Sequence, residues 1–286
     1  MRPISFGVDP TDDNLHFYET SWLLPPILLA ALRALIALYI FTTIIVIWAW
    51  YGTHNQEDYI GRTFSYFTWL SYWGLGFYFL FSALHTTCYV ITGSSALFKR
   101  WPRFMRALHG LLYTTITTYP FLVTVIFWAI LFDGFDSAFS TWHNISQHAL
   151  NSVFALIEIL LTTTPPHPWI AIPVILILLL LYLCVVYITY HTQGFYTYSF
   201  LDPHHGTKSG LVTGYCFGIL AAILVCFLFS RFLIWSRRKL VHGKINRAVR
   251  DPLRAHEESE FILELDVQDT DEEQPQPQPQ PQPQVE

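Results

Sequence analysis

The chain has 286 residues, of which 52% are hydrophobic and only 13% are charged, whereas soluble globular domains carry roughly a quarter charged residues. This composition excludes an ordinary soluble domain. The net charge of −5 at pH 7 leaves no basic footprint for nucleic acid. The four cysteines lie inside apolar runs, so we expect no disulfide framework. The first apolar stretch is too long for a cleaved signal sequence and is expected to remain as a membrane anchor.

Six apolar stretches are each long enough for a helix to cross roughly 30 Å of hydrocarbon. Because these runs are continuous rather than alternating, helices are expected and a β-barrel is not. The fold class predicted is therefore an all-α membrane protein, a bundle of about six transmembrane helices. The predicted spans are 22–51, 63–93, 107–132, 145–164, 167–192 and 209–235.

The basic residues in the connecting segments predict the orientation of these spans. Four lie between spans two and three (Lys99, Arg100, Arg103, Arg106), and several follow span six. By the positive-inside rule, these regions and both termini are predicted to be cytosolic, in the endoplasmic reticulum or another endomembrane, or in the plasma membrane. The predicted organisation is a cytosolic N-terminal segment (1–21), a transmembrane domain (22–240) and a cytosolic tail (241–286).

The tail changes in composition along its length. A basic part is followed by an acidic part and then by a tract of alternating Gln and Pro. Alternating proline prevents helix and sheet, so the tail is predicted to be disordered. Its sequence does not specify a partner.

Two charged residues lie within predicted spans, Arg33 in the first and Glu158 in the fourth. Counting about 1.5 Å per residue places both in the cytosolic half of the membrane. An unpaired buried charge costs several kcal/mol, so a structural ion pair between them is expected. A proton relay is the alternative interpretation.

A second polar group is expected near the non-cytosolic face. Thr68, His148 and His191 belong to three different spans and have similar predicted depths. A hydroxyl and an imidazole can form a nucleophile and its general base. The alternative is structural hydrogen bonding, which is common for threonine in membrane helices.

Three stretches resemble the androgen-induced membrane hydrolases and their Rolling-stone-like relatives. In "NISQHALNSVFALIE", Asn144 precedes His148 by four positions and Glu158 follows it by ten. "YFTWLSYW" resembles the segment that carries the family's threonine, which corresponds to Thr68. "HTQGFYTYSFLD", which begins at His191, resembles the stretch after the family's fifth span.

This resemblance implies an intramembrane hydrolase of lipid esters, in particular fatty acid esters of hydroxy fatty acids. Thr68 would be the nucleophile and His148 its base, with Asn144 and His191 as candidates to line the site. Asn144 is alternatively a helix cap. No cofactor is implied, and the expected partners are the bilayer and a lipid ester.

Other functions remain open from the sequence. The main alternative is a non-enzymatic multi-pass protein of the Rolling-stone kind, acting in adhesion, fusion or scaffolding. A haem-binding bundle would require histidine pairs at matched depth, such as His85 with His109 or His148 with His191. No metal site is expected, because the adjacent His204 and His205 lack a clear third ligand. A transporter is less favoured, because no internal repeat is visible.

Overall fold

The structure is a computed structural model that describes residues 15–203 and 209–272. Within these ranges the chain is helical and contains no strand. The chain contains two π-helical turns in this part. Phe127–Leu131 extends α6, and Ser146–Leu150 joins α7 to α8. Three short 3-10 turns cover Leu15–Tyr18, Thr63–Ser65 and Ser199–Leu201. The α-helices are α1 (Pro26–Thr53), α2 (Glu57–Arg62), α3 (Phe67–Thr92), α4 (Ala96–Arg100), α5 (Arg103–Ile116), α6 (Tyr119–Ile126), α7 (Ala138–Ile145), α8 (Asn151–Leu161), α9 (Ala171–Gln193) and α10 (Ser209–Glu272).

Five helical segments are long and apolar enough to cross a membrane: Pro26–Thr53, Phe67–Thr92, Arg103–Leu131, Ala171–Gln193 and Gly210–Val241. Their outward faces are apolar as well, as expected for helices that contact lipid rather than water. On α1, for example, Leu35, Leu38 and Ile45 are each 63% exposed. These features fit a multi-pass integral membrane protein and confirm the coarse prediction of an all-helical membrane bundle.

The segment predicted as the fourth span is helical but is not among these five. It consists of α7, a π-helical turn and α8. Several buried polar side chains lower its hydropathy, including Gln147, His148, Asn151 and Glu158. These residues place several polar side chains of this helix inside the bundle.

Helices α1 and α3 pack closely, and Gly76 permits this approach. A Cβ atom at Gly76 would lie 2.9 Å from Cγ2 of Ile40 and 3.2 Å from the ring of Phe41, closer than ordinary van der Waals contact. The α1 residues on this side, Ile40, Ile44 and Ile47, are completely buried. Dispersion contacts between these two helices therefore form the centre of the core.

The end of the predicted N-terminal segment is packed against the bundle. The Thr20 hydroxyl lies 2.7 Å from the Thr163 hydroxyl, and Ser21 donates to the Leu161 carbonyl at 2.5 Å. Thr163 also donates its backbone amide to the Thr20 carbonyl. Residues after Tyr18 therefore pair with the segment that follows α8.

The structure adds detail to the third predicted span and differs from the prediction in the tail. The third span corresponds to Arg103–Leu131, which contains a break where α5 ends at Ile116 and α6 begins at Tyr119, with Pro120 in the first turn of α6. The tail was predicted to be disordered from residue 241, whereas α10 extends to Glu272. Strong helix formers are frequent between residues 243 and 272 and favour this conformation. The Gln-Pro tract and residues 1–14 lie outside the described residues.

Candidate functional site

An apolar cavity lies among α3, α6 with its π-helical turn, α9 and α10. The space among these helices is about 750 Å³ when the part open to the outside is included, and leucine, isoleucine, valine and phenylalanine side chains form most of its wall. The hydroxyl-bearing residues in the wall are Thr68, Tyr182 and Tyr198. A cavity of this kind, apolar with a few polar groups on one side, is typical of a binding site for a small hydrophobic molecule.

Thr68 is the second residue of α3, which begins after the extended residue Tyr66. The predicted span began at residue 63, but Thr63–Ser65 form a separate 3-10 turn and place Thr68 in the first helical turn. The first amides of a helix have no partner within it and carry partial positive charge. A negative oxygen that develops beside Thr68 would therefore be stabilised by the start of α3.

Tyr198 supports this start from the segment that follows α9. Its hydroxyl accepts a hydrogen bond from the Phe67 amide at 3.2 Å and interacts with the Thr68 side chain. The ring of Tyr198 contacts Tyr66 edge to face, with centroids 5.8 Å apart. Tyr182 of α9 donates to the Ser65 carbonyl at 3.0 Å. The backbone around Thr68 is thus held by two tyrosine hydroxyls.

His148 lies in the π-helical turn between α7 and α8 and is 7% exposed. Its imidazole stacks on the ring of Phe127, with centroids 3.6 Å apart and planes 5° from parallel. Its carbonyl accepts a hydrogen bond from the Trp128 indole at 3.1 Å. Its buried Nδ1 atom has no hydrogen-bond partner among the described residues. Phe127 and Trp128 begin the other π-helical turn, so the two π-helical turns face each other at His148.

The structure does not join the two predicted catalytic side chains directly. Thr68 lines the cavity and His148 does not. Within residues 15–203, no hydrogen bond connects the Thr68 hydroxyl to the His148 ring. Phe127 links them, because it lines the cavity and covers a face of His148.

Neither of the other two predicted site residues lines the cavity. Asn144 lies inside α7, half-buried, and donates to the Ser140 hydroxyl at 3.3 Å. The alternative that Asn144 caps this helix is wrong, because Ser137 is the N-cap residue and accepts from the Ser140 amide at 3.0 Å. His191 is exposed in the last turn of α9, with its ring edge on Tyr190.

The structure brings Arg33 and Glu158 together in a buried ion pair, with each side chain 1% exposed. A second contact joins Arg33 Nε to Glu158 Oε2 at 3.2 Å. Tyr78 donates to Glu158 at 2.7 Å, and Arg33 donates to the Tyr18 carbonyl at 2.9 Å and to Thr86 at 2.5 Å. The pair connects α1, α3, α8 and the N-terminal segment, and its charges are compensated within the protein.

Sequence reasoning missed a buried carboxyl group next to this pair. Glu19 is 0% exposed, accepts a hydrogen bond from Ser95, and has an oxygen 3.8 Å from Nδ1 of His85. Burial raises the pKa of the Glu19 carboxyl to about 8. In the sequence, this group is indicated only by the position of Glu19, an isolated acid three residues before the first apolar run.

The histidine pairs required by the haem alternative are not formed as expected. His148 is buried and His191 is exposed. His85 stacks on Phe98 with centroids 3.8 Å apart, and its centroid lies 5.3 Å from that of His109. Aromatic side chains therefore fill the surroundings of this second pair. His204 and His205 lie outside the described residues.

Comparisons with protein-family models, with curated proteins and with solved structures give no match. The family resemblance therefore rests on the three sequence stretches alone. The structural basis for a functional assignment is the geometry of the cavity lined by Thr68.

Proposed function

We propose that this chain is an intramembrane hydrolase of lipid esters, with Thr68 as the nucleophile. The observation that carries the proposal is the position of Thr68. It is a hydroxyl group at the start of α3, in the wall of an otherwise apolar cavity among helices suited to the membrane. A hydrocarbon chain fits such a cavity, and the adjacent hydroxyl lies where the ester group of that chain would be.

The reaction proposed is acyl transfer to Thr68 followed by hydrolysis. The Thr68 oxygen attacks the ester carbonyl while His148 takes its proton. The partial positive charge at the start of α3 and the Tyr198 hydroxyl bound there stabilise the negative oxygen of the tetrahedral intermediate. The intermediate collapses, the alcohol leaves with the proton from His148, and water then releases the acid from Thr68. The proposed substrate is a branched ester of a fatty acid and a hydroxy fatty acid.

The proposed setting is a six-span bundle with both termini in the cytosol. The span added to the five apolar ones is residues 138–161, in the region predicted as the fourth span, and it is roughly 36 Å long at 1.5 Å per residue. Its polar side chains face protein rather than lipid, as is usual for polar residues in membrane helices. The basic residues at α4 and α5 support the cytosolic assignment of their side. The endoplasmic reticulum and the plasma membrane are both compatible with this arrangement.

A second candidate is a non-enzymatic membrane protein that binds a lipid in the same cavity. The observation that favours it is the missing hydrogen bond between Thr68 and His148, since a nucleophile and its base are normally within about 2.6–3.2 Å. In this case the cavity would hold a lipid without cleaving it.

A hydrolysis assay distinguishes the two candidates. It uses purified protein in lipid nanodiscs with a branched fatty acid ester as the substrate. Thr68→Ala and His148→Ala should each abolish hydrolysis, whereas Thr68→Ser should retain part of it because the hydroxyl remains. Thr92→Ala, at the exposed end of the same helix, is the matched control and should be fully active. Full activity in Thr68→Ala would eliminate the proposed mechanism, and lipid binding without hydrolysis would favour the second candidate.

A further inference from the structure

The ring of Phe127 separates His148 from the cavity that Thr68 lines. Phe127 is the first residue of its π-helical turn and is one of the cavity-lining residues. The same ring lies parallel to the His148 imidazole at 3.6 Å between centroids. Since His148 itself does not line the cavity, a molecule in the cavity meets Phe127 first.

Among the described residues, no hydrogen bond connects the stacked His148 ring to Thr68. A base accepts a proton through a ring nitrogen in the plane of the imidazole, at about 2.6–3.2 Å from the donor. His148 presents a ring face to Phe127, and its buried Nδ1 has no partner in the described part of the chain. Proton transfer from Thr68 therefore requires a movement of Phe127, of His148 or of both.

Both residues lie in backbone that is unusual for a helix. Phe127 starts one π-helical turn and His148 is in the middle of the other. Such turns are rare, are usually a single turn long and occur frequently at functional sites. The turn at His148 lies between α7 and α8, whereas the turn at Phe127 follows α6 and ends where the backbone becomes extended at Phe132. A local change at these turns could therefore move the two rings without moving the helices.

We propose that Phe127 is the positioning and selectivity residue of the Thr68 site. A hydrocarbon chain long enough to fill the cavity displaces the Phe127 ring from His148, and only then does the imidazole reach Thr68. The inference rests on the proposed hydrolysis and adds a requirement for chain length. Because burial of a hydrocarbon chain grows with each methylene while the aromatic contact is fixed, long chains displace the ring and short chains do not.

Nuclear magnetic resonance on histidine-labelled protein tests the displacement directly. A stacked aromatic ring shifts the His148 ring-proton signals upfield. These signals are identified by their loss in His148→Gln, and Phe127→Leu gives their position without the stack. The ligand is a two-chain ether in which an ether oxygen replaces the ester group, so that it cannot be hydrolysed.

In the wild-type protein, saturating ether should move the His148 signals to their position in Phe127→Leu. Signals that stay upfield while other resonances report binding would overturn the inference. Binding of the ether to neither protein would overturn both the inference and the proposed cavity function.

Hydrolysis rates give an independent measure. The ratio of kcat/KM for a long-chain ester to that for a short-chain ester should fall several-fold in Phe127→Leu. Phe127→Tyr preserves the ring and should keep the wild-type ratio. Phe121→Leu is the matched control, because Phe121 lies on the same helix and packs on Phe229, away from the cavity wall.

The two proposals fail in different ways. If hydrolysis occurs and its chain-length ratio is unchanged in Phe127→Leu, the hydrolase stands and the role of Phe127 is overturned. If wild-type protein hydrolyses no ester, the hydrolase fails. The ether-induced shift of the His148 signals then decides alone whether ligand binding displaces Phe127.

Discussion

Arg33 and Glu158 form a buried ion pair that connects α1, the first helix of the bundle, to α8. The carboxylate also accepts from Tyr78, and the guanidinium donates to a carbonyl and a hydroxyl. Each charge is thereby compensated by groups of the protein. The energetic consequence is asymmetric, because removing one partner leaves the other charge buried and unpaired.

Arg33→Ala or Glu158→Ala should therefore destabilise the protein by about 3–5 kcal/mol. The double substitution Arg33→Met with Glu158→Leu should cost much less, because it removes both charges. Thermal unfolding in detergent, followed by circular dichroism, measures both. Glu57→Ala, an exposed acid on α2, is the control and should change little. Equal losses in the single and double variants would contradict the pairing.

Gly76→Ala should destabilise the contact between α1 and α3. The added methyl group would lie 2.9 Å from Ile40, and overpacking of this kind costs about 1–3 kcal/mol. Gly74→Ala is matched to it, on the same helix with its nearest neighbour, Leu112, 4.0 Å away. We expect this control to be neutral or slightly stabilising, since alanine favours helix over glycine. The unfolding temperatures of the two variants provide the comparison, and equal values would argue against close packing at Gly76.

Glu19→Gln should stabilise the protein relative to wild type at alkaline pH and change its stability little at acid pH. Burial raises the pKa of this carboxyl to about 8, although Arg33 and Lys99 act in the opposite direction. The folded state therefore holds a proton that the unfolded chain releases near pH 4.5, so wild-type stability falls between about pH 4.5 and 8. A neutral amide can still accept the hydrogen bond from Ser95 and avoids this loss.

Unfolding temperatures measured from pH 5 to pH 8.5 test this dependence. The difference between Glu19→Gln and wild type should be small at pH 5 and increase up to about pH 8. Glu57→Gln, an exposed acid, should follow the wild-type curve throughout. A constant difference across the range would mean that the carboxyl stays ionised when folded.

Tyr198→Phe should weaken the start of α3 and with it the Thr68 site. The lost hydroxyl leaves the Phe67 amide without its side-chain acceptor, at a cost of about 1 kcal/mol. We expect a lower rate of ester hydrolysis as well as a lower unfolding temperature. Tyr196→Phe is the control, because Tyr196 stacks on Tyr190 and does not line the cavity. Unchanged hydrolysis in Tyr198→Phe would show that this hydroxyl does not contribute to the site.

Cysteine labelling tests the orientation in the membrane. In a cysteine-free background, the Lys99→Cys variant in intact cells should react with an impermeant maleimide only after the membrane is permeabilised. The Asn55→Cys variant, changed in the exposed turn between α1 and α2, should react with the maleimide when the reagent is applied to the non-cytosolic side. Labelling of both positions from one side would rule out the proposed topology.

The sequence predicted the helical class because long apolar runs have few other solutions in a membrane. It did not predict the break before Pro120 or the two π-helical turns, since one extra residue in a turn leaves no local signature. His191 was predicted to share a site with Thr68 and His148, whereas its side chain is exposed in the last turn of α9. Helix α9 is apolar on every side, so nothing in its sequence identifies the face that meets the cavity.

The partners of Arg33 are made at very different times during synthesis. Glu158 is 125 residues further along the chain, which a ribosome adds in roughly 6–25 s at ~5–20 residues per second. The Tyr18 carbonyl, by contrast, precedes Arg33 by 15 residues and is already present when Arg33 emerges. The nascent first helix therefore carries an unneutralised guanidinium while most of the protein is still to be translated. Its earliest available partner is the backbone just ahead of it.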